Sequence, residues 1–454
     1  MAHTRREVLQ AALAAASLAA LPSAARANRR PHEWRNWSGS QVAHPRAAFA
    51  PRSEGELIRH LRAAEGEIRV AGAGHSFSAV CTTNDTLFSL DSMRGLIEHD
   101  DATLQATVWA GTRLRDLGDP LWNVGQALIN QGDVDPQSVG GACGTSTHGT
   151  GLGLGSFSAV MRGVRLVTPE GQVIEADAQR DADVYQAART SLGALGIASQ
   201  ITLQNRTAYS LKQREYVEPL DTVLKNLDAS LKQHRHYEFW TFFESDDVLV
   251  KTLDETDAAP SKPPLIDLPA DSILWLASEI AHGVKRLDGP LQRLITTLYP
   301  SGERIDRSYR IFPSPREVRF NEMEYEVPIA QGPDCLREIL ALVREKNPNT
   351  LFPVEYRVVA ADEAWLSPFY QRESASISIH QYHEVDYRPL FALVEPIFWK
   401  YGGRPHWGKL HTMTAKQLAP LYPKWDDFQA VRRRLDPKGR MLNAHLRSLL
   451  ELAA

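Results

Sequence analysis

Along the first half of the chain, apolar positions come in short bursts, and the spacing within each burst names an element. Leu57, Ile58 and Leu61 fall three and four apart between Ser53 and Ala64, the period of an amphipathic helix. Ser53, with Glu56 three residues on, reads as its capping box. Ile68–Ala71, Thr86–Leu90 and Leu104–Trp109 read as brief strands, and Arg113–Gln126 fits a helix. Val164–Thr168 and Val173–Ala176, joined by Pro169-Glu170-Gly171, read as a hairpin. Asp183–Thr190 is helical in pattern, and Ile197–Leu203 is a strand. Short strands mixed with helices imply an α+β fold class.

From Thr207 the character changes. Aromatic and charged residues crowd together, as in HRHYEFWTFFE. A Pro-rich loop over Ala258–Pro269 and a helical stretch over Ser272–Leu298 interrupt the strands. Thr207 to Pro423 reads as a second α+β domain, and the tail as a helix followed by an Asp436-Pro437-Lys438-Gly439 turn. A length of 454 residues suits two domains.

The N-terminus carries a different message. Arg5 and Arg6 precede an Ala/Leu run that ends at Leu21, and Ala25-Arg26-Ala27 supplies a small-x-small cleavage site. Residues 1–27 therefore read as a twin-arginine export signal, with the export machinery as partner and a periplasmic or secreted product. The apolar run is short and alanine-rich beside the roughly 20 strongly apolar residues of a membrane span, so no stable span is expected. The formal net charge is −4, and losing Arg5, Arg6, Arg26 and Glu7 makes the remainder more acidic. That balance argues against nucleic-acid or anionic-membrane partners. Cys81, Cys143 and Cys335 allow at most one disulfide, and they read as small buried hydrophobes.

Two glycine-rich runs hold the candidate chemistry. In Ile68–Val80, His75 follows Gly72-Ala73-Gly74. In Ser138–Phe157 there are seven glycines around His148. Element interiors do not favour such density, whereas exposed backbone N–H groups form anion-binding nests. Together the runs point to a phosphate-bearing cofactor. The third glycine of a dinucleotide fingerprint is missing after Gly74, and Gly403–Lys409 spells G-x-x-x-x-G-K without the following hydroxyl residue. A nicotinamide Rossmann site and a P-loop are both excluded on those grounds.

The segments RVAGAGHSFS, GGACGTSTHGTG, SLGALGI, MEYEVP, RPHWGKLH and LDPKGRMLNAHL, in this order, resemble the aldonolactone oxidase and alditol oxidase branch of the vanillyl-alcohol-oxidase flavoprotein family. The resemblance implies a two-subdomain FAD-binding domain over residues 28–206, a cap and substrate domain over 207–423, and a C-terminal segment, 424–454, that returns to the FAD domain. It implies FAD as cofactor, joined covalently at the flavin 8α-methyl to His75. An imidazole nitrogen is a competent nucleophile for that bond. The other implied cofactor contacts are Ala71, Gly72, Ala73, Gly74, Ser76, Phe77, Gly140, Gly141, Thr145, Ser146, Thr150, Gly153, Ile197 and His406. The N–H groups of Gly72–Phe77 are expected to face the pyrophosphate. His148 is expected to be structural or close to the FAD.

In FPVEYRVVA, Glu355 and Arg357 are two apart and share one face of a strand. Such a pair can bind hydroxyls and offset charge on a reduced flavin; the resemblance makes them substrate-binding. In SISIHQYHE, His380 shares the parity of Ser376 and Ser378, while His383 faces the other way. The two histidines are not an adjacent metal pair, and no metal is expected. Lys409 matches the family's active-site lysine, with a lowered pKa expected from burial near an arginine. The implied activity is oxidation of a small neutral sugar 1,4-lactone by hydride transfer to flavin N5, with dioxygen as acceptor. Alditol oxidation, or a lactone dehydrogenase with another acceptor, is the alternative; a flavin carrier without catalysis ranks last.

Overall fold

The computed structural model describes residues 32–262, 291–293, 296, 301–314, 318–346, 348 and 350–452. The signal read over residues 1–27 and most of the helix read over Ser272–Leu298 lie outside them. Among the described residues no helix is long and apolar enough to cross a membrane. All three cysteines are free.

Ala47–Phe49, Thr86–Ser89 and Ile68–Ala71 form a small parallel sheet with Thr86–Ser89 in the middle. The helix Glu54–Ala63 provides the crossover between its two outer strands and buries Leu57 and Leu61. The Ser53 hydroxyl accepts the Glu56 N–H at 3.2 Å. Glu56 turns its carboxylate to the Arg52 N–H instead, at 2.8 Å, so half of the expected capping box forms.

A second sheet runs in the order Val173–Asp177, Met161–Val167, Ile197–Thr207, Gln105–Trp109, Leu96–Asp100, and Gln126–Leu128 pairs with the far end of Ile197–Thr207. The hairpin turns at Gly171, whose φ of +76° suits glycine. The helix expected over Arg113–Gln126 breaks up into a 3-10 turn at Leu114–Asp116, a short helix at Gly118–Asn123 and the strand Gln126–Leu128. Pro120 fits only the first turn of a helix, and Gly125, at φ +73°, ends it.

The third sheet has eight antiparallel strands, in the order Gly302–Arg307, Ser210–Pro219, Asp247–Thr256, His236–Thr241, Val354–Val359, Ser374–Tyr382, Phe320–Pro328, Arg404–Pro405. Its two faces differ sharply. Phe239, Tyr356, Ile377 and Tyr325 share one face, where the helices Leu220–Gln233, Gly332–Lys346 and Arg388–Lys400 pack. The Gly332–Lys346 helix alone buries Leu336, Ile339, Leu340 and Val343 there, each contributing about 1.5–3 kcal/mol. The opposite face is buried too, but it is polar, and it looks onto the glycine-rich runs. The Gly151 N–H donates to the Val358 carbonyl at 2.9 Å.

The tail returns to the first sheet. The Arg440 carbonyl accepts the Ile68 N–H at 2.7 Å, and Asn443 Nδ2 donates to the Ala79 and Thr82 carbonyls, both at 2.8 Å. Buried Arg69 donates to the carbonyls of Val80, Leu192, Gly193 and Met441, so three separate segments are tied to one side chain.

Candidate active site and cofactor cleft

A cleft opens where the Ile68–Ala71 strand ends. It is lined by Ala71–Ser76, Gly140, Gly141, Thr145, Ile197, His406 and Lys409, which brings together most of the cofactor contacts read from the sequence. The N–H groups of Gly74, His75 and Ser76 make no hydrogen bond among the described residues and remain free to bind an anion. The Phe77 N–H is committed to the Gly408 carbonyl at 2.7 Å, so the expected cradle stops at Ser76.

The second glycine run corrects the sequence reading. Val139–Gly144 is a short helix capped by Ser138, and the amides of Gly140 and Gly141 are bonded to the Ala110 carbonyl and Ser138 Oγ. These glycines serve by lacking side chains. A Cβ on Gly72 would collide with Ser138 Oγ, and one on Gly140 would press on Ala110 at 3.2 Å. Around Gly144 a Cβ would meet nothing within 4 Å, and at Gly141 only Ser138 Oγ at 3.1 Å. The helix thus presents bare backbone to open cleft, as close approach of a large ligand requires. Its residues fit FAD.

Four of the expected contacts do not line the cleft. Ser146 Oγ is buried between Ser158 Oγ at 2.9 Å and Thr190 Oγ1 at 2.8 Å. Thr150 Oγ1 donates to the Tyr237 carbonyl at 2.7 Å. Phe77 stacks on Phe320 at 5.6 Å. Gly153 lies beyond the cleft, between Gly151 and Leu154, which bond to Val358 and Ala360 at the end of the Val354–Val359 strand. Each sits in a run whose neighbours do reach the cleft, so the run was legible and the individual contact was not.

The polar face of the large sheet carries the expected catalytic set. Register places Glu355 beside Ser378, Arg357 beside Ser376, and His380 beside Glu322. Glu355 is 6% exposed and Arg357 9%, which excludes a surface ion pair. Arg357 Nε donates to Glu238 and Nη2 to Asp133, each at 2.7 Å, and Nη2 is in ion-pair contact with Glu355 Oε1 at 2.7 Å. Lys251 Nζ meets Glu238 at 3.1 Å and Asp133 at 3.4 Å. Three carboxylates thus share two cations. Burial raises the Glu355 carboxyl above its usual range, Arg357 opposing and Asp133 and Glu238 adding to the shift. Arg357 stays charged because its three carboxylate partners outweigh its burial. His380 Nδ1 is 2.9 Å from the Pro353 carbonyl, and its Nε2 is 3.5 Å from Glu322 Oε1. His383 lies past the end of the Ser374–Tyr382 strand.

Lys409 is where the electrostatic expectation fails. Its Nζ contacts Glu322 and lies 3.2 Å from Glu324. Burial opposes the charge, yet the two carboxylates hold the pKa above the ordinary lysine value. Nearby His148 donates from Nε2 to Glu324 at 2.6 Å and from Nδ1 to the Gly149 carbonyl at 2.8 Å. Despite burial, Glu324 and Glu326 push it up to about 10. The clusters His148/Glu324/His406 and Asp133/Glu238/Glu355 are compact enough to hold a cation. Each already meets a protein cation, Lys409 in the first and Arg357 in the second.

Sequence reasoning missed Asp133, Glu238, Lys251, Glu322 and Glu324. The alternating glutamates of NEMEYEVP were a visible signal for the last two; Asp133, in a loop, offered none.

A glycine-lined cleft that fits FAD, set against a polar sheet face, defines a flavin-dependent oxidoreductase. Comparison with known proteins agrees. An FAD binding domain model matches residues 45–177, and the D-arabinono-1,4-lactone oxidase model matches residues 201–449. The chain is 38% identical to an L-gulono-1,4-lactone dehydrogenase of Mycobacterium tuberculosis, over 92% of this chain and 99% of that one. It is 31% identical to the L-gulonolactone oxidase of Bos taurus, over 91% and 97%, and 28% identical to a Streptomyces alditol oxidase, over 92% and 98%. A solvent-stable cholesterol oxidase superposes with a TM-score of 0.78 at 16% identity, over 93% and 99% of the two chains, a likeness of fold. The chain belongs to the D-arabinono-1,4-lactone oxidase family.

Proposed function

We propose that this enzyme oxidises a secondary hydroxyl of a sugar 1,4-lactone, that its FAD is bonded to His75, and that dioxygen reoxidises it to give hydrogen peroxide. The observation that carries the reading is the buried polar sheet face with Glu355, Arg357 and His380, closed at the cleft by Lys409. Bound FAD supplies the hydride acceptor. Ala71–Ser76, Ser138, Thr145 and Ile197 hold it, and the bare backbone of Gly141 and Gly144 admits it.

The remaining work falls to side chains. Glu355 binds substrate hydroxyls. Arg357 is immobilised by three carboxylates and contributes a fixed positive charge where negative charge arrives with the hydride. Charged Lys409 donates a hydrogen bond to the substrate oxygen. It does not take the proton; that task is assigned to His380, whose Nε2 lies on the polar face 3.5 Å from Glu322. Export through residues 1–27, placing the enzyme in the periplasm or outside the cell, belongs to the same reading.

The test is anaerobic mixing with L-gulono-1,4-lactone, D-arabinono-1,4-lactone and an alditol, followed by admission of air. Bleaching by a lactone and peroxide on aeration support the proposal. Bleaching by the alditol alone sinks the lactone assignment. A reduced flavin that persists in air favours another acceptor, the reading that the M. tuberculosis relative's dehydrogenase name brings to mind.

A further inference from the structure

The turn that carries His75 is held from two sides. On one, the loop around His406–Lys409 receives it: Ser78 Oγ donates to the Trp407 carbonyl at 2.9 Å, and Phe77 N–H to Gly408. On the other side is a strap from the start of the described chain, a short hairpin of Trp34–Arg35 with Val42–Ala43. The strap engages three carbonyls of the turn, on either side of His75. The Trp37 N–H donates to the Gly74 carbonyl at 2.8 Å, Asn36 Nδ2 to the Ser76 carbonyl at 3.2 Å, and Gln41 Nε2 to the Phe77 carbonyl at 3.1 Å. Gly74, at φ +71°, leaves room for it: a Cβ there would touch the Asn36 and Trp37 backbone and the Trp34 ring.

Between these anchors the Trp37 ring stacks on the His75 imidazole, with centroids 5.2 Å apart and planes 23° from parallel. Phe320 and Phe77 pack edge-on against the same indole, at 5.2 and 6.2 Å, so the indole itself is held. Neither ring nitrogen of His75 bonds to a described residue, and the imidazole has no hydrogen bond to fix its plane. The stack is what orients it. We propose that Trp37 is a positioning residue for flavin attachment, holding the His75 ring so that a nitrogen lone pair faces the cleft. This rests on the reading that His75 bears the FAD.

The chemistry makes orientation decisive. Attachment forms one bond from an imidazole nitrogen to the 8-methyl carbon and releases one proton from that carbon and one from the ring N–H. Two electrons are left on the flavin, which dioxygen carries off with the protons as hydrogen peroxide. The nucleophile must be neutral, and its lone pair must point at one carbon. Burial, with Lys409 and Arg113 nearby, brings His75 down to about 4, so neutrality is secured without help. Direction is what remains to be supplied, and a flat partner 5.2 Å away fixes the ring plane while leaving both nitrogens unblocked.

The experiment follows covalent loading in the full-length chain, prepared flavin-depleted, then supplied with FAD in air. Total bound flavin is read by fluorescence quenching, and attached flavin by what stays with the polypeptide after acid precipitation. Trp37→Leu is expected to bind FAD within about threefold of the parent yet to attach it at least tenfold more slowly, while Trp37→Phe, which keeps a stacking ring, stays close to the parent rate. Trp37→Leu attaching at the parent rate overturns the positioning role and leaves the His75 linkage standing. So does an equal slowing in Leu and Phe variants accompanied by weak FAD binding, which would assign Trp37 to general packing. A parent protein that releases all its flavin in acid overturns the linkage itself, and the positioning role with it.

Discussion

Lys409 Nζ lies 3.2 Å from Glu324 Oε2, and the other oxygen of the same carboxylate accepts the His148 Nε2–H at 2.6 Å. One buried glutamate therefore joins the loop at the cleft, the sheet and the second glycine-rich run. Removing Lys409 leaves Glu322 and Glu324 buried without it, and stranding a buried charge costs roughly 3–5 kcal/mol. Lys409→Met is expected to lower the urea midpoint, and adding Glu322→Gln to recover part of the loss. A double-mutant cycle measures this; strictly additive losses would show the two groups to be uncoupled. Because both carboxylates raise the Lys409 pKa, its charge is lost only as pH climbs past the ordinary lysine value of 10.5. An alkaline limb near neutrality in the kcat/KM profile would have to come from another group.

Arg357→Ala should slow flavin reduction about a hundredfold or more at saturating substrate, the scale of one preorganised electrostatic donor. Arg357→Lys should not restore it. The guanidinium meets Glu238 and Asp133 through different nitrogens, and an ammonium cannot reproduce that fork. Anaerobic stopped-flow absorbance decides, and parental rates in the alanine variant would move the active site off this sheet face.

The glycines of the cleft separate binding from folding. At Gly144 a side chain has open space, so Gly144→Leu should leave the urea midpoint of the flavin-free chain close to the parent while FAD loading falls at least tenfold, by steric exclusion. Gly72→Ala meets Ser138 Oγ at once and should destabilise the fold itself. Flavin content and unfolding curves measured together test both.

Both ring nitrogens of His411 are buried without a hydrogen-bond partner among the described residues, and burial, with His445 and His406 nearby, takes its pKa down to about 3. The unfolded chain takes up a proton near 6.5 that the folded chain refuses, so stability from this group is complete above 6.5 and is lost as pH falls toward 3. His411→Leu removes that dependence. Its urea midpoint relative to the parent should therefore be more favourable at pH 5 than at pH 7. The same difference at both pH values would contradict the buried neutral state.

What a strand or turn does alone was legible early. Parity along Val354–Val359 and Ser374–Tyr382 put Glu355 with Arg357, and His380 with Ser376 and Ser378, because alternation is a local property of extended backbone. The His75 turn announced itself through Gly72 and Gly74. The Arg113–Gln126 helix misled because Pro120 and Gly125 carry apolar neighbours at helical spacing. The Val139–Gly144 helix was hidden because glycines weaken every local helix signal, and it forms where Ala110 and Ser138 demand close contact.

By itself, the sequence determined that this chain has an α+β fold, two glycine-rich runs and a strand face bearing a glutamate and an arginine, all set by short-range period and backbone freedom. Tertiary structure alone decided the charges. Asp133 reaches Arg357 across 224 residues of chain and His148 reaches Glu324 across 176, and whether Lys409 sits beside an arginine or between two glutamates depends on how the Phe320–Pro328 strand docks against its neighbours. Coulomb energies follow separation in space, which the spacing of residues along a chain does not contain.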